Sequence, residues 1–217
     1  MIRWARANRP RVSWPRVSWP GVSWPGVSWP PRGRPHRVLV LGGARSGKSA
    51  TAERMLATRD RVDYVATGGG PDPADPEWAE RVRAHQQRRP AHWVTLETLD
   101  LAQLLAGPQL TARDRATPVL VDCLSTWLAG VMDECGLWAG RPGADQDLAT
   151  RVDGLLAAWR TTARPVVAVS NEVGSGVVPG TVSGRRYRDE LGVLNTRIAA
   201  DCEQVWLCTA GIARRLR

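Results

Sequence analysis

No stretch of this 217-residue chain approaches the roughly 20 uninterrupted apolar residues that a membrane-spanning helix needs. The proline-rich beginning also lacks the apolar core of a secretory leader, so a cytoplasmic location is expected. The four cysteines, Cys123, Cys135, Cys202 and Cys208, make no C-x-x-C pair and have no histidine at metal-ligand spacing. That argues against zinc and for buried, reduced thiols. Acidic residues are missing from positions 1–37, where eight of the 30 basic residues lie. The other 22 face 21 acids, so the net charge of +9 belongs to the N-terminal segment and the rest is close to neutral. A polyanion-binding body is therefore not indicated, and no nucleic-acid partner is expected. Lysine is all but absent: Lys48 is the only one.

Residues 11–30 are a tandem pentapeptide, RVSWP, RVSWP, GVSWP, GVSWP. Proline at every fifth position removes a backbone donor and biases the preceding residue away from the helical region, so neither helix nor central strand propagates. Positions 1–35 are expected to be a disordered tail, with a basic and aromatic arm that touches RNA, lipid or a partner as the functional alternative. Positions 36–217 then form one nucleotide-binding domain. In it, β-branched runs at 37–41, 62–67, 92–96, 118–123, 165–170 and 204–209 read as strands. Leu148, Val152, Leu155, Leu156 and Trp159 repeat at helical spacing, as do Tyr187, Leu191, Leu194 and Ile198. This alternation predicts an α/β fold, a mostly parallel sheet with helices on both faces and ligands at the carboxyl ends of the strands.

The first strand runs into Gly42-Gly43-Ala44-Arg45-Ser46-Gly47-Lys48-Ser49 and then a helix-forming stretch. That is the phosphate-loop spacing G-x-x-x-x-G-K-S in its strand-loop-helix setting. Glycines let backbone N–H groups turn toward phosphate oxygens, the lysine bridges terminal phosphates, and the serine hydroxyl ligates Mg²⁺. The sole lysine at this position fits a loop that takes a flexible ammonium and not a guanidinium fork. A second Mg²⁺-directed carboxylate is expected at a neighbouring strand end. Asp122, closing PVLVD, is the candidate; its plain alternative is a cap, by Asp122 or Ser125, for a helix over 126–132. Asn171-Glu172 is the other strand-end pair.

Trp78, Val82 and His85 fall at i, i+4 and i+7 on a helix expected over about 77–87. By spacing alone His85 is a half-buried residue on an apolar face. Arg81 and Arg88 share its spacing, however, and two guanidinium groups beside the ring would disfavour its protonated form and leave a nitrogen able to attack phosphorus. His36 and His92 have weaker claims.

Taken together, GGARSGKS at 42–49, YVATG at 64–68, RVRAHQQRRPAHWVTLE at 81–97, LVDCLSTWL at 120–128 and SNEVGSGVVP at 170–179 resemble the bifunctional adenosylcobinamide kinase / adenosylcobinamide-phosphate guanylyltransferase family of cobalamin biosynthesis. YRDELGVLNTRIAA at 187–200 and VWLCTAGI at 205–212 extend the likeness over about 37–217. The resemblance implies that the chain phosphorylates adenosylcobinamide with ATP or GTP. It also implies that His85 takes GMP from GTP and passes it to adenosylcobinamide-phosphate, giving adenosylcobinamide-GDP. It implies nucleotide contacts from Ala66, Thr67, Gly68, Gln86, Gln87, Arg88, Arg89, Glu97 and Asp122, with Ser49 and Asp122 at Mg²⁺, and a homo-oligomer, expected to be a trimer. Asp122 stands where some relatives have glutamate, and Gln86 to Arg89 differ from runs that carry Lys, Asp or Gly. The alternatives are a small-molecule kinase of the same loop class that holds His85 structurally, or a nucleic-acid-binding module driven by the basic arm.

Overall fold

The computed structural model describes residues 37–70 and 74–217. The tail reading for 1–35, and His36, lie outside the described residues. Strands made of unbroken apolar runs must be covered on both faces, and the central ones are. β1 (Arg37–Gly42), β2 (Asp63–Ala66), β3 (Val94–Glu97), β4 (Val119–Asp122), β5 (Val166–Asn171) and β6 (Gln204–Thr209) pair in parallel. β7 (Ile212–Arg215) folds back antiparallel on β6, and the order across the sheet is β3-β2-β4-β5-β1-β6-β7. The six expected strands all occur. β7 was not expected, because IARR shows no apolar alternation. The turn at Ala210 and Gly211, both at positive φ (50° and 82°), places it.

Seven helices accompany the sheet among the described residues: α1 (Lys48–Leu56), α2 (Pro76–Arg88), α3 (Leu101–Ala106), α4 (Ala112–Ala116), α5 (Leu124–Glu134), α6 (Ala144–Thr161) and α7 (Val182–Ala200). The short α3 and α4 escape a periodicity reading because neither completes two turns. Side chains alternate along a strand, so the sheet has two cores. Leu39, Val65, Val119, Val121 and Ala168 meet Trp127, Leu155, Trp159 and Leu191 of α5, α6 and α7. Val38, Val40, Tyr64, Leu120 and Val167 meet Ala52, Met55 and Leu56 of α1. By the same parity Asp122, two residues past Leu120, and Ala66, two past Tyr64, belong to the α1 side.

Helix starts position the chemistry. Asp75 caps α2, accepting from the Trp78 N–H at 3.0 Å, with Pro76 in the first turn. The alternative of an α5 cap by Asp122 or Ser125 is not what occurs: the helix opens at Leu124, its cap is Cys123, and the Thr126 hydroxyl accepts from the Cys123 N–H at 3.3 Å. Asp122 is thereby left to the sheet edge. All four cysteines are free and buried. Among the described residues no helix is long and apolar enough to cross a membrane.

Candidate active site

β1 and α1 define the phosphate loop. A Cβ added at Gly42 would stand 2.3 Å from Ser46 Oγ and 2.6 Å from the Cys208 carbonyl, so β1 leaves the sheet through a point that accepts only glycine. Gly47, at φ 91°, sits just before α1, and Arg45 is also left-handed at φ 57°. Such alternation turns successive N–H groups inward as an anion nest. The loop is braced from behind: the Gly211 N–H donates to the Ser46 carbonyl at 3.0 Å. Lys48 Nζ donates to the Gly43 carbonyl at 3.1 Å, folded across the loop it is meant to serve.

Asp122 is the hub. Ser49 Oγ donates to Oδ1 at 3.2 Å and the Tyr64 hydroxyl to Oδ2 at 2.6 Å, while His85 Nδ1 lies 3.3 Å from Oδ2. Burial by itself would raise the Asp122 pKa. The hydrogen bond and charge of His85, with the bonds from Tyr64 and Ser49, outweigh burial and hold the carboxyl below the usual aspartate range. Burial, and then the Asp122 charge, push the Tyr64 phenol well above its ordinary value, so it remains a donor.

The surroundings of His85 correct the expectation that Arg88 flanks the ring. Nδ1 faces two carboxylates, Asp122 and, at 4.0 Å, Glu53 Oε1. Arg88 has turned to Glu53 through Nε at 3.2 Å and Nη2 at 3.3 Å, and the Arg81 side chain lies outside the described residues. A neutral ring whose proton sits on Nδ1, where the carboxylates accept it, carries its lone pair on Nε2. The ring is therefore oriented by carboxylates through Nδ1, with Nε2 left to face away from them.

His85, Asp122, Ser49 and Lys48 line one cleft, together with Ala66, Gly68, Trp78, Arg89 and Asn171. Arg89 stacks on Tyr64, Cζ 3.4 Å from the ring centroid, and is the arginine of the 86–89 run that lines the cleft. Gln86 and Gln87 are exposed on α2 and are not among the lining residues. The Thr67 side chain is buried and used internally, donating to the Cys123 carbonyl at 2.6 Å and accepting from its N–H at 3.1 Å. Glu97 ends β3 in register with Ala66; its carboxylate flanks Gly70, whose carbonyl accepts from the Trp78 indole at 3.0 Å. The Asn171 carbonyl accepts from the Asn195 amide, and the Glu172 carboxylate accepts from the Gly174 N–H, so Asp122 is the strand-end acid that meets Ser49. His92 lies apart, its Nε2 3.2 Å from the Arg59 carbonyl.

Two site residues were not read from the sequence. Glu53 lies one turn after Ser49, and the i, i+4 spacing from the serine of the loop motif was a usable signal. Tyr64 carried none, since its contact with Asp122 depends on β2 and β4 being neighbours.

Residues 38–216 match the family model described as cobinamide kinase / cobinamide phosphate guanyltransferase. The chain belongs to that family. It is 40% identical over 183 residues to the bifunctional adenosylcobalamin biosynthesis protein CobP of Pseudomonas aeruginosa, covering 83% of this chain and 97% of that one. It is also 33% identical over 186 residues to the bifunctional adenosylcobalamin biosynthesis protein CobU of Escherichia coli, covering 83% and 99%.

Mg²⁺ is implied for a phosphate-loop enzyme of this family. The donor set fits: a hydroxyl and a carboxylate already 3.2 Å apart, both oxygens, suit a hard cation that keeps several waters.

Proposed function

We propose that this family member carries out both reactions at the one cleft, phosphorylating adenosylcobinamide and then transferring GMP through a covalent His85 intermediate. The observation that carries this reading is the sharing of Asp122 by Ser49 of the phosphate loop and by His85 Nδ1. A histidine tied to the carboxylate that also meets the loop serine supports a role at the phosphates over a place in the core.

In the first reaction the nest and Lys48 hold the triphosphate of ATP or GTP, the acceptor hydroxyl attacks the terminal phosphorus, the bond to the departing nucleoside diphosphate breaks, and the hydroxyl proton is lost to solvent. Alignment and charge neutralisation suffice for such a loose transition state. Mg²⁺ held by Ser49 and Asp122 would neutralise charge on the phosphate oxygens. In the second reaction the Nε2 lone pair of His85 attacks the α-phosphorus of GTP, the bond to pyrophosphate breaks, and the Nδ1 proton stays between the ring and Asp122. That carboxylate balances the positive charge of the phosphorylated imidazole. The phosphate oxygen of adenosylcobinamide-phosphate then attacks the same phosphorus, the N–P bond breaks, and Nε2 regains its lone pair. Arg89 is placed to neutralise phosphate, and Glu97 offers acceptors to the guanine N–H edge. Thr67, Gln86 and Gln87 are proposed to approach the nucleotide through backbone or on its arrival. The protein is further proposed to be cytoplasmic and to work as a homotrimer.

Incubation with α-labelled GTP and Mg²⁺ tests the covalent step. Label that is acid-labile, alkali-stable and absent from His85→Ala is expected. A folded, GTP-binding wild-type protein that takes no label would leave a kinase without the histidine step.

A further inference from the structure

Arg88 lies on the same α2 face as His85, three residues on, yet its charge is directed across to α1. Its Nε and Nη2 approach the two oxygens of Glu53 at 3.2 and 3.3 Å. The Glu53 side chain is only 10% exposed, and the same carboxylate is the one 4.0 Å from His85 Nδ1. Two helices are thus tied at two levels. Ser49 and His85 meet through Asp122, and one turn further along α1, Glu53 receives Arg88. A single contact at Asp122 fixes where the imidazole sits. A second, two-point contact also fixes the rotation of the helix that carries it. Guanidinium suits this because parallel N–H bonds set angle as well as distance.

We propose that the Glu53–Arg88 pair is a positioning device for His85, tying the histidine helix to the phosphate-loop helix, and that it serves nucleotidyl transfer more than phosphoryl transfer. The inference rests on the covalent role proposed for His85. Neither residue touches the reacting atoms; both act through the ring. In-line attack at the α-phosphorus tolerates little displacement of Nε2, and a misplacement of about 1 Å can cost on the order of a hundredfold. The kinase step draws on Lys48, Ser49 and Asp122, none of which lies on α2.

The full chain and its variants Arg88→Ala, Arg88→Lys and Glu53→Gln separate this from a merely structural pair. Three quantities are measured: the single-turnover rate of His85 labelling from α-labelled GTP, the kinase turnover, and amide hydrogen exchange over 76–88. In Arg88→Ala the labelling rate is expected to fall at least about tenfold further than kinase turnover. Exchange in α2 should quicken while α6 is unchanged, and Arg88→Lys should recover part of the loss. Equal losses in both reactions, unaltered labelling, or unaltered exchange in α2 would each overturn the pair's role while wild-type labelling still upheld the covalent step. A wild-type protein that takes no label would instead sink the covalent reading and this role with it.

Discussion

The two edges of the sheet treat a buried carboxylate in opposite ways. At the amino edge Asp63, which opens β2, meets Arg164 Nη2 at 2.5 Å; both residues are buried, and Arg164 also donates to the Thr117 carbonyl. At the carboxyl edge Asp122, which closes β4, is shared among a hydroxyl, a phenol and an imidazole. A charge matched by a fixed, permanently protonated partner is settled for the life of the fold. A charge held by three exchangeable donors can give up a bond to a ligand and take it back. β2 and β4 pair directly, with Asp63 opposite Val119 and Ala66 opposite Asp122, so one strand pair carries anchor and active site three residues apart.

The largest expected effect breaks the anchor. Arg164→Ala leaves the buried Asp63 only the more distant Arg61, whose Nε lies 3.5 Å from Oδ1, and equilibrium unfolding should show a loss of about 3 kcal/mol, while turnover per folded molecule stays close to wild type. Next comes the opposite edge. Lys48→Ala should lower kinase turnover by about a hundredfold or more, since it removes a charge aimed at the terminal phosphates, and should change the melting temperature little. Near-normal kinetics in that variant would mean that the loop had been misread.

Asp122→Asn sharpens the contrast through pH. Because the folded-state pKa of Asp122 is held below its ordinary value, the unfolded chain binds the proton more readily. The stabilisation is complete above the ordinary aspartate range and is lost as pH falls through the folded-state value. The stability gap between wild type and Asp122→Asn should therefore shrink on acidification, and a gap that widened would contradict the His85, Tyr64 and Ser49 contacts. The smallest effect is expected away from both edges. Arg197 and Asp153 form a surface pair at 2.7 Å, with side chains 41% and 64% exposed. Arg197→Ala should cost about 0.5 kcal/mol or less, a useful baseline for the anchor variant.

The phosphate loop was fully legible because its chemistry is local: eight consecutive residues supply the turn, the charge and the hydroxyl. The strands were legible because apolar runs between punctuating residues leave few alternatives. His85 was legible as a residue but not in its setting. The reading placed it among arginines that share its helix face, whereas Glu53 of α1 captures Arg88 and the strand-end acid captures the ring. Contacts along one helix can be counted from spacing. Contacts between helices depend on how each packs against the sheet, which no spacing records.

By itself, then, the sequence determined the loop, the alternation of strands and helices, and a short set of polar residues at strand ends, since these follow from backbone sterics and periodicity within a few residues. Only the tertiary structure decided which acid Ser49 meets, that Tyr64 and Glu53 join the site, and which way Arg88 points. Those outcomes turn on strand order and helix docking, where residues far apart in the chain compete for the same charged partner at distances near 3 Å, and a shift of one strand position would send the side chain to the other face of the sheet.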